Sequence, residues 1–233
     1  MLELAGLTIY RFDDVPWTHR VRFGGMKSRA KVYFVDEARG IRMTLVDFPV
    51  GSTEPRHVHP GTHATTVVNG RAIVDGVTLG PLDVILGPGG EPHGPLHYPD
   101  GCQLLSAFQG SNEHTEAESL SPEKHYRLVQ HEAIPWAAEG SHGRQSKTLI
   151  DRGAGPLLVR AVRQPPGGVV ERHLHDSMQA ALVVEGSAEI AGQRFGTWDL
   201  LYQHPGIEHG PIRFPEGATL LAFTMRTPQE MPS

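Results

Sequence analysis

Three histidines stand close together in PRHVHPGTH, residues 55–63. Alternate residues of a strand share one face, so His57 and His59 can direct their imidazoles to one point. A Pro-Gly pair then turns the chain, and His63 begins a returning strand that can reach the same space. His93 follows a later glycine-rich turn and can close the site from another strand. Four converging imidazoles predict a metal site.

The same pattern occurs again in the second half of the chain. At one constant offset and without a gap, Gly51, His57, His59, Gly70, His93 and Pro95 fall on Gly167, His173, His175, Gly186, His209 and Pro211. Turn glycines at matching spacing between the histidines indicate a tandem duplication rather than chance. Gln179 takes the place of His63, and its amide oxygen is a weaker, neutral ligand.

Short apolar segments separated by turn residues are typical of both halves. The 233 residues include 27 Gly and 19 Pro, which favours β structure over helix. Asn69–Gly70 and Glu185–Gly186 are each predicted to form a two-residue hairpin turn. We therefore predict an all-β protein of two tandem jelly-roll barrels, which leave few free strand edges.

A polar stretch separates the two halves. We predict a first barrel over 1–112, a polar linker over 113–133 and a second barrel over 134–233. The linker is expected to contain a capped turn of helix at Ser121. Its three histidines are expected to be solvated: His114, His125 and His131.

Composition excludes several classes of function. The net charge of −5, without a basic run, disfavours nucleic acid and anionic membrane surfaces as partners. The absence of a signal-like or membrane-spanning segment predicts a cytoplasmic protein. Cys102 is the only cysteine, so an internal disulfide and a thiolate zinc cluster are excluded. A metal would have to be held by histidine, carboxylate or amide groups.

The order Gly, His-x-His, a fourth polar residue, Gly, and then Pro-x-Gly-x-x-His resembles the two-part signature of the cupin superfamily. Both halves carry it, so the chain is similar to two-domain cupins, or bicupins. Two departures stand out. The Glu that many cupins place after the histidine pair is His63 in one half and Gln179 in the other, and the proline of the second motif is His204 in the second half.

The resemblance implies a divalent transition metal in each barrel, up to one per domain. The implied ligands are His57, His59, His63, His93, His173, His175, Gln179 and His209. Imidazole ligands suit Fe, Zn, Ni, Mn or Cu, with Fe or Zn favoured. The catalytic residues are not assigned by the pattern; the candidates are His63, Gln179 and His204.

Three functions are compatible with this resemblance. The three-histidine cupins that cleave diketones and phenols lead us to expect a non-haem metal dioxygenase acting on a small oxygenated molecule. The alternatives are a Lewis-acid isomerase, lyase or polyketide-type cyclase, and a non-catalytic binding or storage cupin. If His63 is a ligand, the second site has more open positions and is the expected catalytic one. The strand-like start LTIYRF allows a monomer or a strand-swapped homodimer.

Overall fold

A computed structural model describes residues 1–4, 6–140, 143–151, 153 and 155–227. Its strands are β1 (Leu2–Leu4), β2 (Leu7–Tyr10), β3 (Thr18–Val21), β4 (Lys27–Asp36), β5 (Ile41–Phe48), β6 (Ser52–Glu54), β7 (His57–Val58), β8 (Thr62–Gly70), β9 (Ala72–Val74), β10 (Val77–Leu79), β11 (Val84–Gly87), β12 (Leu96–Tyr98), β13 (Cys102–Gln109), β14 (Thr115–Glu116), β15 (Arg127–Val129), β16 (Ala137–Ala138), β17 (Gln145–Ile150), β18 (Leu157–Gln164), β19 (Gly168–Val170), β20 (Met178–Ile190), β21 (Gln193–Gly196), β22 (Leu200–Gln203), β23 (Ile212–Phe214) and β24 (Ala218–Met225).

Short 3-10 helices at Phe23–Gly25 and His131–Ala133 are the helical elements of the described residues. The all-β class is confirmed. Within the described ranges, no helix has the length and apolar character needed to cross a bilayer.

The chain divides into two compact units. The central unit is Pro16–His131, and the terminal unit combines Met1–Val15 with the chain from Glu132 onward. This division differs from the expected barrels at 1–112 and 134–233, because the N-terminal strands belong to the terminal unit. It also differs in the stretch 113–133, nearly all of which belongs to the central unit.

Two sets of contacts explain this difference. Strand β15, inside the expected linker, pairs with β11 of the central unit. The buried carboxylate of Glu91 accepts hydrogen bonds from the Ser121 hydroxyl at 2.9 Å and the His125 backbone N–H at 3.0 Å. The segment around Ser121 is held in this way as an irregular segment rather than as the expected turn of helix.

The central unit has two larger antiparallel sheets around one core, and β7 and β14 form a two-stranded sheet beside them. One has seven strands in the order β15-β11-β8-β13-β5-β4-β3, and the other has four in the order β10-β9-β12-β6. Alternate residues of β5 and β13, such as Val46 and Leu104, pack with Val74 and Tyr98 of the smaller sheet. Burial of these apolar faces stabilises the sandwich.

The terminal unit repeats this plan with an added strand. Its main sheet follows the order β1-β2-β22-β20-β24-β18-β17-β16, so the N-terminal strand β2 pairs with β22 of the same chain. Leu7 and Ile9 of β2 are fully buried in the core that also holds Phe195 and Phe214. The start of the chain therefore completes this core.

The predicted hairpin turns at Asn69–Gly70 and Glu185–Gly186 are wrong. Gly70 ends β8, whose pairing partners are β11 and β13, and Gly186 lies inside the continuous strand β20. Both glycines have positive φ, and a Cβ on either would lie 2.3 Å from a backbone carbonyl oxygen. Glycine is needed because another strand passes there, and not because the chain reverses.

Replacement of Ile9 by Ala should destabilise the terminal unit by about 2–5 kcal/mol, because it leaves a cavity in a fully packed core. Chemical unfolding followed by tryptophan fluorescence, to which Trp136 and Trp198 of this unit both contribute, measures the change. Ile207→Ala is the matched control, since that side chain is 48% exposed and its loss should cost under about 1 kcal/mol. Equal losses in the two variants would show that β2 is not part of the core.

Candidate metal centres

Three histidines of the central unit converge inside the barrel. His57 on β7 and His93 form an isolated antiparallel bridge, with N–H to O distances of 3.0 and 2.9 Å in the two directions. His59 lies two residues after His57, and its ring centroid is 4.8 Å from that of His57. Each of the three rings offers a nitrogen within 4.8 Å of the others, and all three residues are buried. This group can hold a metal ion.

Backbone carbonyls orient the three rings. The Nδ1 atoms of His57, His59 and His93 lie 2.8, 3.2 and 3.2 Å from the carbonyl oxygens of Pro55, Glu113 and Glu91. A carbonyl oxygen only accepts, so each Nδ1 carries a hydrogen. The neutral ring then keeps its lone pair on Nε2, as a metal ligand requires.

Burial keeps two of these imidazoles neutral. Desolvation, with neighbouring imidazoles, lowers the pKa of His59 to about 3. Burial and His57 likewise lower the pKa of His93 to about 4. Both rings are therefore unprotonated at neutral pH and available to a cation.

The terminal unit carries an equivalent group. His173 and His209 form the matching bridge, and the Nε2 atoms of His173 and His175 are 3.1 Å apart. Two nitrogens that bind one ion at about 2.1 Å in neighbouring positions lie about 3.0–3.4 Å apart. Burial lowers the pKa of His175 to about 4, and burial also lowers the pKa of His209 from its ordinary value. His173 and His175 are only half-buried, so this group is more open to solvent.

His63 lies beside the first group but outside the set of nitrogens that converge. Its Nδ1 is 3.0 Å from the Thr65 hydroxyl, which is itself 3.0 Å from the Ser106 hydroxyl. Its Nε2 is directed at Gly87, where a Cβ would be only 2.1 Å away. The two ring nitrogens of His63 thus lie next to Thr65 and Gly87. Its role as a fourth metal ligand stays a prediction.

The terminal unit differs at this position. Gln203 stands at the repeat position of Gly87, and its side chain reaches His175. Gln179 replaces His63 and lies half-buried on β20, opposite Gln203. Its role as a ligand stays a prediction.

His204 has a partner in the N-terminal strand. The Thr8 hydroxyl donates to the Glu3 carboxylate at 2.8 Å, so its oxygen accepts the Nε2–H of His204 at 3.0 Å. The backbone N–H of His204 donates to the Gly6 carbonyl at 3.0 Å. These bonds give His204 a structural task in holding β2, while its catalytic role stays untested.

A cavity of about 410 Å³ contains the first group of histidines. This volume is within the range of small-molecule sites, about 300–1,000 Å³. Its wall includes the apolar side chain of Phe108. Polar side chains also line it, among them Arg42, Thr44, Ser106, Asn112 and His114. The structure thus joins a candidate metal group to a small-molecule-sized space in the central unit.

His114 was not predicted as a residue of the site, because it was expected to be solvated. Its ring centroid lies 5.5 Å from that of His57 and 5.4 Å from that of His59. Burial and the Arg22 charge lower the pKa of His114 to about 4. Strand β14 brings it there by pairing Thr115 with Val58 and so placing the segment against β7. A two-residue strand in a polar stretch has no periodicity that sequence reasoning could detect. His125, by contrast, is exposed as expected.

A buried ion pair closes one side of the cavity. Glu54 accepts hydrogen bonds from Arg22 and, at 2.9 Å, from the Tyr98 hydroxyl. Burial alone would raise the pKa of Glu54, but the Arg22 charge and the Tyr98 hydrogen bond hold it below its usual value. The carboxylate is therefore ionised and neutralises Arg22 at neutral pH.

Comparison with known proteins identifies the fold. Residues 124–228 match the family described as the ChrR cupin-like domain. A proposed dioxygenase from Nostoc punctiforme superposes with a TM-score of 0.82 at 13% identity, covering 97% of this chain and 85% of that one. The chain has the bicupin fold.

Other solved structures share the fold. The oxalate decarboxylase of Lactobacillus farciminis is 15% identical, with a TM-score of 0.71 over 97% of this chain and 87% of that one. The salicylate 1,2-dioxygenase of Pseudaminobacter salicylatoxidans is 12% identical, with a TM-score of 0.69 over 95% and 84%. No curated protein matches the sequence of this bicupin. At these identities the likeness shows the fold.

Replacement of Gly87 by Ala should destabilise the central unit by about 1–3 kcal/mol, because the new Cβ must displace His63. The free energy of unfolding, followed by the fluorescence of Trp17, measures the cost. In a His63→Ala background the same change should cost much less. Gly80→Ala is the control, since nothing lies within 4 Å of a Cβ there. An equal cost in both backgrounds would mean that His63 does not occupy this space.

The metal-stripped bicupin should lose stability as the pH falls from about 6.5 toward 4. Unfolded histidines bind protons in this window, whereas the folded pKa values of about 3 and 4 keep His59 and His93 neutral. The unfolded state therefore gains protons, and the folded state loses up to about 1.4 kcal/mol per pH unit for each histidine. Urea unfolding of chelator-treated protein across this window measures the slope. His59→Gln should make it shallower, and an unchanged slope would contradict the prediction.

Proposed function

We propose that the central unit of this bicupin is a metal-dependent dioxygenase that acts on a small oxygenated organic molecule. The observation that carries the proposal is the group of three buried imidazoles, oriented by backbone carbonyls, in the wall of a cavity of about 410 Å³. Three ligands leave coordination positions open for substrate and oxygen. This assigns catalysis to the first half, where the sequence had favoured the second.

His57, His59 and His93 would hold the ion through their Nε2 atoms. Imidazole donors fit a divalent Fe, Zn, Ni, Mn or Cu ion, and iron is the choice that suits oxygen chemistry. When bound, such an ion supplies Lewis acidity and, for iron, electron transfer to oxygen. The backbone carbonyls behind the rings keep each Nε2 in place.

The remaining residues of the cavity bind and shield the substrate. Val46, Leu104 and Phe108 give it an apolar wall that excludes water from the reacting group. Thr44 and Ser106 face each other on neighbouring strands and offer hydroxyls to substrate oxygens. Ser106 belongs to the chain of hydroxyls that ends on His63 Nδ1, which provides a route for a proton between the substrate and His63 within the cavity wall.

Solved structures with this fold support an enzyme of this kind without selecting the reaction. They include a salicylate 1,2-dioxygenase and an oxalate decarboxylase. A Lewis-acid isomerase, lyase or cyclase remains the alternative reaction in the same cavity. The two differ in whether turnover consumes oxygen.

The terminal unit would hold a second metal. Its three histidines have the same sequence spacing as those of the central unit, and the Nε2 atoms of His173 and His175 lie 3.1 Å apart. The half-buried His173 and His175 make this group more open than the first. We propose a structural or auxiliary ion there.

Elemental analysis of the protein purified without a histidine tag should find about two metal equivalents per chain, one per histidine group. His57→Ala and His173→Ala should each remove about one. His125→Ala, at an exposed position, is the matched control and should keep both. A chain that neither carries nor takes up metal would refute the metal sites.

With the metal-loaded protein, oxygen uptake should accompany the cleavage of diketones or phenolic compounds. His57→Ala should abolish it, while His173→Ala should leave more than about a tenth of the rate, because its ion is not at the cavity. Product formation without oxygen uptake would favour the Lewis-acid alternative. Complete loss in His173→Ala with the first metal retained would place catalysis in the terminal unit.

A further inference from the structure

We propose that the cavity of the central unit selects a carboxylic acid and that Arg42 binds the carboxylate. The expectation that the other end of this acid reacts at the metal rests on the proposed function above. The part that concerns Arg42 stands on the geometry and charge of the cavity alone.

The strand register places Arg42 at the level of the histidines. Inward-facing residues of β5 alternate, with Arg42, Thr44 and Val46 all in the cavity wall. Arg42 pairs with Phe108 on β13, and Phe108 pairs with His63 on β8. Arg42, Phe108 and His63 therefore lie side by side on three adjacent strands, which places the guanidinium at the level of the histidine group.

Charge in the cavity is unbalanced at Arg42. Glu54 neutralises Arg22, and the other charged residues of the wall, Arg20 and Glu113, are exposed to solvent. Arg42 is half-buried, and it forms no ion pair with a carboxylate of the described residues. A cation with restricted solvation and no counter-charge is stabilised by an anionic ligand.

The Arg42 side chain is held but not saturated. One Nη1–H donates to the Asn112 side-chain oxygen at 2.8 Å, which fixes the orientation of the guanidinium. The buried Nε–H has no acceptor among the described residues. A guanidinium presents paired donors that match the two oxygens of a carboxylate.

The neighbouring groups define the rest of the ligand. The Thr44 hydroxyl, on the same face of β5, is buried and has no hydrogen-bond partner in the described part of the chain. It can meet a second oxygen of the ligand. Phe108, Val46 and Leu104 suit a flat or branched hydrocarbon body. The substrate class is thus a compact, predominantly aromatic or branched acid that carries a further hydroxyl or keto oxygen.

Binding of benzoate and of its uncharged isostere benzamide tests this assignment. Calorimetric titration uses the full chain, both metal-loaded and after chelation. Benzoate should bind at least about tenfold more tightly than benzamide in both forms, because the guanidinium adds a charge-assisted hydrogen bond. Arg42→Met should weaken benzoate binding about 10- to 100-fold and leave benzamide binding within about threefold.

Arg71→Met is the matched control, since that arginine pairs with Asp100 on the surface of the same unit and is not part of the cavity wall. It should bind benzoate like the unaltered chain. Arg42→Lys, which keeps the charge but not the fork, should recover part of the affinity. Circular dichroism and the unfolding midpoint establish that each variant is folded.

Absence of saturable benzoate binding, equal affinity for the two probes, or unchanged benzoate binding in Arg42→Met would overturn the assignment. These outcomes are separable from failure of the proposed function. Retained benzoate selectivity in a protein that never consumes oxygen would leave the carboxylate site standing and remove the dioxygenase.

Discussion

The candidate sites of this bicupin depend on one kind of hydrogen bond, from a histidine Nδ1–H to a backbone carbonyl. Four of the six histidines in the two groups bond to the carbonyl two residues earlier: His57, His93, His173 and His209. The bond satisfies one ring nitrogen and leaves the other with a lone pair. Burial lowers the pKa of His93 and of His209, so these two rings stay neutral and keep that lone pair for a common point.

The fold of each unit places backbone carbonyls where they can accept these hydrogen bonds. The bridge between His57 and His93 joins two irregular segments whose carbonyls then face back toward the rings, and the bridge between His173 and His209 does the same. A seven-stranded sheet and a smaller sheet close around this point in the central unit. The N-terminal strand serves the terminal unit instead, where Leu7 and Ile9 fill the core and Thr8 binds His204.

Duplication has given two similar groups with different surroundings. Gly87 leaves room for the His63 ring in the central unit, whereas Gln203 stands at the matching position of the terminal unit, opposite Gln179. The central group lies in an enclosed cavity with charged and hydroxyl side chains, whereas two histidines of the terminal group are half-exposed. This contrast underlies the assignment of catalysis to one unit and support to the other.

The sequence alone determined the duplication, the all-β class, the resemblance to cupins and the two groups of three histidines, since all of these follow from local spacing and strand alternation. Only the tertiary structure decided which other residues lie around the two histidine groups. Strand pairing between distant segments placed His114, Asn112 and Arg42 around the first group and moved residues 1–15 into the terminal unit. The structure also showed that Gly70 and Gly186 serve close packing and not hairpin turns. These features depend on long-range register, which a one-dimensional pattern does not encode.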